Sequence, residues 1–142
     1  SADMKVMVFV KSNAGIEAGT LPSTDEMIAM GNFNEALVRA GILLAGEGLH
    51  ASARGKRVRF GDTTPPQVEA GPFADPGSLV AGFWLWQVRS MDEALEWAQR
   101  APFAPGDVLE LRPLMAEEDF GEAFTAELRE KEQRLREHSA AR

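Results

Sequence analysis

Apolar residues alternate from Met4 to Lys11, with Val6, Val8 and Val10 on one parity and Met7 and Phe9 on the other. That spacing predicts a strand with two apolar faces. A loop marked by Gly15, Gly19 and Pro22 follows. Ser23-Thr24-Asp25-Glu26 then reads as a capping box, a hydroxyl and a carboxylate that satisfy free backbone N–H groups at a helix start. Met27, Met30, Leu37 and Val38 continue as a helical stripe centred on Phe33 or Asn34, and Gly41 suits the left-handed stop after it.

Ile42 to Ser52 is strand-like again, and Gly55 to Gly61, centred on Val58 and Phe60, is expected to pair with it as a hairpin arm. Pro65-Pro66 forbids a central strand, after which Gln67 to Ala70 returns briefly before the break at Gly71-Pro72. Leu79 to Arg89 is the clearest strand, with Phe83 and Leu85 pointing one way and Trp84, Trp86 and Val88 the other. Ser90-Met91-Asp92-Glu93 is a second capping box, opening a short helix with Ala94, Leu95 and Ala98 that Pro102 closes. Val108 to Leu114 is the last core strand. Gly121 to His138 reads as a charged helix with a thin apolar stripe of Phe124, Leu128 and Leu135.

Two units therefore share the order strand, Ser-x-x-Glu cap, helix, strand. This is the split βαβ, ferredoxin-like α+β arrangement, an antiparallel sheet with both helices on one side and a β-hairpin inserted. The expected domain is 4–115, and 116–142 is a charged helical extension that docks on the domain or on a partner subunit. The strands are apolar on both faces, yet two helices cover only one. A second copy of the sheet about a two-fold axis supplies the missing layer and makes the chain a homodimer. The alternative is that the C-terminal helix folds back over the sheet.

Composition narrows the function. A length of 142 residues suits one domain. Absence of cysteine excludes a disulfide framework and thiol catalysis and fits a reducing, cytoplasmic compartment. A net charge of −7 disfavours nucleic acid and anionic membranes. No apolar run approaches the roughly 20 residues of a membrane span. Met4 to Val10 is too short for a signal peptide and is interrupted by Lys5; Met4 reads as the natural start, after Ser1-Ala2-Asp3. Two histidines without cysteine make no zinc set, and Gly46-x-Gly48 lacks the third glycine and the following helix of a dinucleotide site. No P-loop or Gly-x-Ser-x-Gly elbow is present, so neither metal nor cofactor is expected.

Glu47 is the sharpest candidate for chemistry. Regular alternation places it with Leu43, Ala45 and Leu49, where burial would favour the protonated form and suit a general acid or base. Alternatively Gly46 and Gly48 mark a bulge that turns it outward, or an arginine pairs with it. His50 is a candidate proton shuttle, but on a regular strand it lies on the opposite face from Glu47; the other reading is a partly exposed strand-end histidine. Asp75 follows a turn and either caps local N–H groups or serves a site. Glu110 and Arg112 form a salt bridge within the sheet or hold a polar ligand, and Arg112 equally could neutralise Glu47. Trp84 and Trp86 line a flat ligand site or belong to core or interface. Arg54, Lys56, Arg57 and Arg59 form a basic run, either an anion site or a solvated hairpin.

Four segments, Gly46-Glu47-Gly48-Leu49, Gly71-Pro72-Phe73-Ala74-Asp75, Gly82-Phe83-Trp84 and Asp92-Glu93-Ala94-Leu95-Glu96-Trp97-Ala98, resemble the YciI-related family, in particular its DGPF-domain branch. The resemblance runs from Met4 to about Pro113 in order and spacing. It implies a dimeric α+β barrel and places Asp75 beside a pocket. Most members are uncharacterised bacterial proteins, often encoded near extracytoplasmic-function sigma factors. Two departures stand out. The motif that names the branch begins with Asp where this chain has Ala70, and the His–Asp pair of small YciI proteins is absent, with no His in the first helix and Ala101 before the proline.

Two expectations follow. One is a small-molecule enzyme without metal or nucleotide cofactor, Glu47 acting in acid–base chemistry with His50 or Asp75 as helper. As a fold, dimeric barrels host isomerases and cofactor-free monooxygenases. The other is a non-catalytic dimer that binds a small ligand or contacts a sigma factor through its C-terminal helix.

Overall fold

Alternating valines and tryptophans set the architecture, because each strand must present one parity to the helices. The computed structural model describes residues 3–139. Ser1, Ala2 and the last three residues of the expected extension lie outside them. The order is β1 (Met4–Lys11), α1 (Ala14–Glu17), α2 (Thr24–Arg39), β2 (Leu43–Gly48), β3 (Lys56–Arg59), β4 (Gln67–Ala70), β5 (Val80–Val88), α3 (Met91–Gln99), β6 (Leu109–Pro113) and α4 (Ala126–Glu137). The main sheet runs β2-β5-β1-β6 with every neighbouring pair antiparallel, the ferredoxin-like order.

The inserted hairpin differs from expectation. β3 pairs with β4, Lys56 opposite Ala70 and Arg59 opposite Gln67, in a separate two-stranded sheet rather than on β2. The turn through Pro65-Pro66 makes β4 the nearest partner, and a short loop is cheap to close. The segment before α2 is not all loop either. Asn13 Oδ1 accepts the Ile16 N–H at 2.9 Å and starts the one-turn α1.

The caps explain where the longer helices begin. Ser23 Oγ accepts the Glu26 N–H at 3.1 Å while Glu26 accepts the Ser23 N–H at 3.0 Å, a complete capping box. Gly41, at φ 74°, ends α2. At α3 only half of the expected box forms. Ser90 Oγ accepts the Glu93 N–H, but the Glu93 carboxylate takes the Arg89 N–H at 2.8 Å and the Arg89 guanidinium at 2.7 Å.

The core lies between sheet and helices. Val6, Val8, Trp84, Trp86 and Val88 meet Phe33 and Leu37 of α2 and Ala94 of α3. Phe33 stands edge-on to Trp84 with centroids 5.6 Å apart. Trp84 Nε1 donates to Asn34 Oδ1 at 2.9 Å. Met27 and Val38, expected in the stripe, stay 54% and 60% exposed, because the face of α2 that meets the sheet is only as wide as the Met30, Phe33, Leu37 row.

Two irregularities re-aim side chains. β2 carries an extra residue between Leu43 and Ala45. Leu43 therefore pairs with Trp86 on the helix side while Ala45 and Glu47 pair with Leu85 and Phe83 on the other, so Leu43 does not share a face with Glu47. Past Ala116, a 3₁₀ stretch (Glu117–Ala123) breaks at Gly121 (φ 66°), so the final helix starts at Ala126, capped by Thr125 Oγ1, rather than at Gly121. Leu128 and Leu135 remain exposed. Among the described residues no helix is long and apolar enough to cross a membrane.

Gly46 lies beside Trp84, and a Cβ there would sit 2.6 Å from Trp84 Cδ1. Asn34 and Phe33 hold that indole, so it has little room to yield. Gly46→Ala is expected to cost about 1–3 kcal/mol in denaturant unfolding followed by tryptophan fluorescence. Wild-type stability in the variant would show that the indole swings away freely.

Candidate functional site

The register divides the sheet into two unlike faces. Every fully buried residue of the sheet lies on the helix side; on the opposite face the strand residues are part-buried or exposed. One row across that open face reads Glu47, Phe83, Phe9, Glu110, from β2 to β6. The next reads Ala45, Leu85, Met7, Arg112. Two apolar rows thus cross the centre and charges stand at both edges. Three strand spacings separate Glu47 from Glu110, about 14 Å.

At the β6 edge Glu110 accepts from Arg112 at 3.3 Å and lies 4.0 Å from Lys11 Nζ. The salt bridge expected within the sheet is present between two partly exposed side chains. At the β2 edge Glu47 is exposed and has no hydrogen-bond or ion-pair partner among the described residues. His50 lies past β2 and meets Arg54, whose Nη1 is 2.8 Å from Nε2, rather than Glu47. Asp75 adopts a left-handed conformation (φ 61°) before a 3₁₀ turn. Its carbonyl accepts the Ser78 Oγ–H at 2.8 Å, while its carboxylate caps no N–H of that turn. Trp84 and Trp86 sit in the core, Trp86 with no exposure at all. The basic run is dispersed: Arg59 pairs with Glu69 at 2.7 Å and Arg57 stacks on Phe73 at 3.9 Å. One chain therefore brings Glu110 and Arg112 together, while no hydrogen bond links Glu47, His50 and Asp75 to one another among the described residues.

Polar groups converge elsewhere. A cleft of about 220 Å³ opens at the ends of β1 and β6, lined by Lys11, Ser12, Asn13, Asp107 and Glu110 among others. Ser12 is buried and its hydroxyl has no hydrogen-bond partner among the described residues. Lys11, Ser12, Asn13 and Asp107 escape sequence reasoning because the cleft joins segments a hundred residues apart, about which no local pattern informs.

The Gly71-Pro72-Phe73 turn has a structural explanation. Ser52 Oγ accepts the Phe73 N–H at 2.9 Å and donates to the Glu17 carboxylate, which also accepts the Ser52 N–H at 2.8 Å. The Ser52 carbonyl presses so close that a Cβ on Gly71 would come within 1.7 Å of it, so only glycine fits. Glu17 and Ser52 thus clamp the motif and the hairpin base to α1, and neither residue stands out in the sequence.

The Ser52 hydroxyl, and then the Ser52 N–H, hold the Glu17 carboxyl below its ordinary range. A carboxyl depressed in the folded state stabilises fully above the usual carboxylate pKa, and the contribution is lost as pH falls through that range toward the lowered value. The melting temperature is accordingly expected to drop on acidification, and Glu17→Gln to make the drop shallower while lowering stability at neutral pH. Glu26, Glu69 and Glu93 are depressed too, so some slope persists. A melting-temperature series against pH whose slope is the same in both proteins would remove the clamp from the acid response.

No curated protein is significantly similar to this chain. The family model of the YCII-related domain matches residues 4–118, which contain the whole sheet, its helices and the inserted hairpin. That match takes in the open face, the cleft and the clamped Gly71-Pro72-Phe73 turn, and on it the chain belongs to the YCII-related domain family.

Proposed function

We propose that the protein works as a homodimer whose sheets close face to face and that it binds a small polar molecule in the cleft at the ends of β1 and β6. The observation that carries this reading is one-sided burial: Met7, Phe9, Phe83 and Leu85 form an apolar centre on a face where no strand residue is fully buried. A second sheet on that face gives the layered packing such a surface requires. Ligand binding fits better than catalysis in one chain, since Lys11, Ser12, Asn13, Asp107 and Glu110 line one cleft whereas His50 is engaged by Arg54 rather than by Glu47. The buried, unpartnered Ser12 hydroxyl supplies a group that a polar ligand or water would satisfy. The acid–base reading keeps one support. Glu47 stands level with Phe83 and lacks a partner, so closure of the face would take a free carboxylate out of water. Residues 116–142 form the extension, and the exposed Leu128 and Leu135 of α4 are where a protein such as a sigma factor would be met.

Sedimentation equilibrium should return a dimer mass for the wild type and a monomer for Phe83→Glu, with the circular dichroism spectrum unchanged. A monomeric wild type at tens of micromolar protein overturns the dimer. For the ligand, a metabolite that raises the melting temperature of the wild type is expected to lose its effect in Lys11→Ala. Loss in Glu47→Gln with retention in Lys11→Ala would instead move the site to Glu47 and favour acid–base chemistry.

A further inference from the structure

The open face is charged asymmetrically, and that asymmetry has a consequence for any self-association. On the β2 edge Glu47 is the single charged residue of the strand. On the opposite side Lys11 of β1 and Arg112 of β6 flank Glu110, two cations around one carboxylate. Lys5, on the same face of β1, adds further positive charge toward the other end of the strand. Glu47 cannot reach this cluster in its own chain across about 14 Å of sheet.

Two aligned stackings of identical sheets are available. An axis across the strands lays each edge on its own copy, Glu47 against Glu47 and cations against cations. An axis along the strands lays β2 over the partner's β6. In that second arrangement rows superpose, and Glu47 arrives level with the partner's Glu110, between the partner's Lys11 and the partner's Arg112. A margin of net charge −1 then faces a margin of net charge +1 at each edge, whereas the other axis sets margins of like net charge against each other.

We propose that Glu47 of each copy completes a composite charge cluster with the partner's Lys11, Glu110 and Arg112. The proposal rests on the homodimer reading and adds to it an axis and a role. Lys11 and Glu110 also line the cleft, so the partner's Glu47 closes its mouth and each ligand site is complete only in the dimer. Glu47 is then a positioning residue that holds the cations from across the interface.

The test is a charge-swap cycle read as the dimer dissociation constant by analytical ultracentrifugation at low salt. Glu47→Arg and Arg112→Glu alone are each expected to weaken the dimer about tenfold or more, and the double variant to return to within about threefold of wild type. Circular dichroism of each variant guards against misfolding. Single effects that multiply in the double variant overturn the composite cluster while leaving the dimer standing. A wild type that never dimerises overturns the dimer reading itself. Single swaps without effect on a dimeric wild type also overturn the cluster, since they leave Glu47 uncoupled from the partner's cations.

Discussion

The need to bury Trp84 and Trp86 on alternate residues of β5 governs this structure. Two indoles on one face of a central strand demand a layer of matching width above them. α2 supplies Phe33 and Leu37, α3 supplies Ala94 and the flanking Trp97, and Gly46 on β2 leaves the space that Trp84 fills. The valines of β1 complete the floor. With fully buried aromatic residues worth several kcal/mol each, this layer is where folding free energy concentrates. The parity that puts tryptophans inside also puts Phe83 and Leu85 outside, so the open face follows from the construction of the core.

Much of this was legible along the chain. Alternation over β1 and β5, the Ser23 capping box and the left-handed Gly41 are local signals, and each appears where its residues place it. Departures arise where the deciding partner is distant. The extra residue at Leu44 flips Leu43 from the side of Glu47 to the helix side, and nothing in Leu43-Leu44-Ala45 distinguishes a bulge from a regular strand. The choice of β4 over β2 as partner for β3 depends on tertiary closure. At Ser90 the half-formed box reflects competition: Arg89 offers Glu93 a backbone N–H together with a guanidinium, which outweighs one N–H from Ser90.

The candidate site was less legible, for a related reason. Residue type marked Glu47, His50, Asp75, Glu110 and Arg112 as capable of chemistry, but only register says which can meet. Register places Glu47 and Glu110 in one row at opposite edges, and gives His50 to Arg54. The Gly71-Pro72-Phe73 turn, which family resemblance marks as distinctive, is held by Glu17 and Ser52 through hydrogen bonds spanning 35 and 21 residues. A clamp that closes such separations pins the hairpin, the turn and α1 as one unit, so glycine at position 71 answers to packing rather than to chemistry.

The sheet is packed by helices on one face and only partly buried on the other. The polar cleft at the ends of β1 and β6 and the lone carboxylate on β2 lie at opposite margins of that partly buried face. In the cleft Glu110 is engaged by Arg112 and Lys11, whereas Glu47 has no hydrogen-bond or ion-pair partner among the described residues. The apolar residues Met7, Phe9, Phe83 and Leu85 lie on the two central strands, so a layer laid over them sits between the two margins. In the proposed dimer, with its axis along the strands, a second copy covers them and brings unlike margins together. In that proposed dimer the geometry that buries the apolar rows is also the geometry that assembles the polar ones.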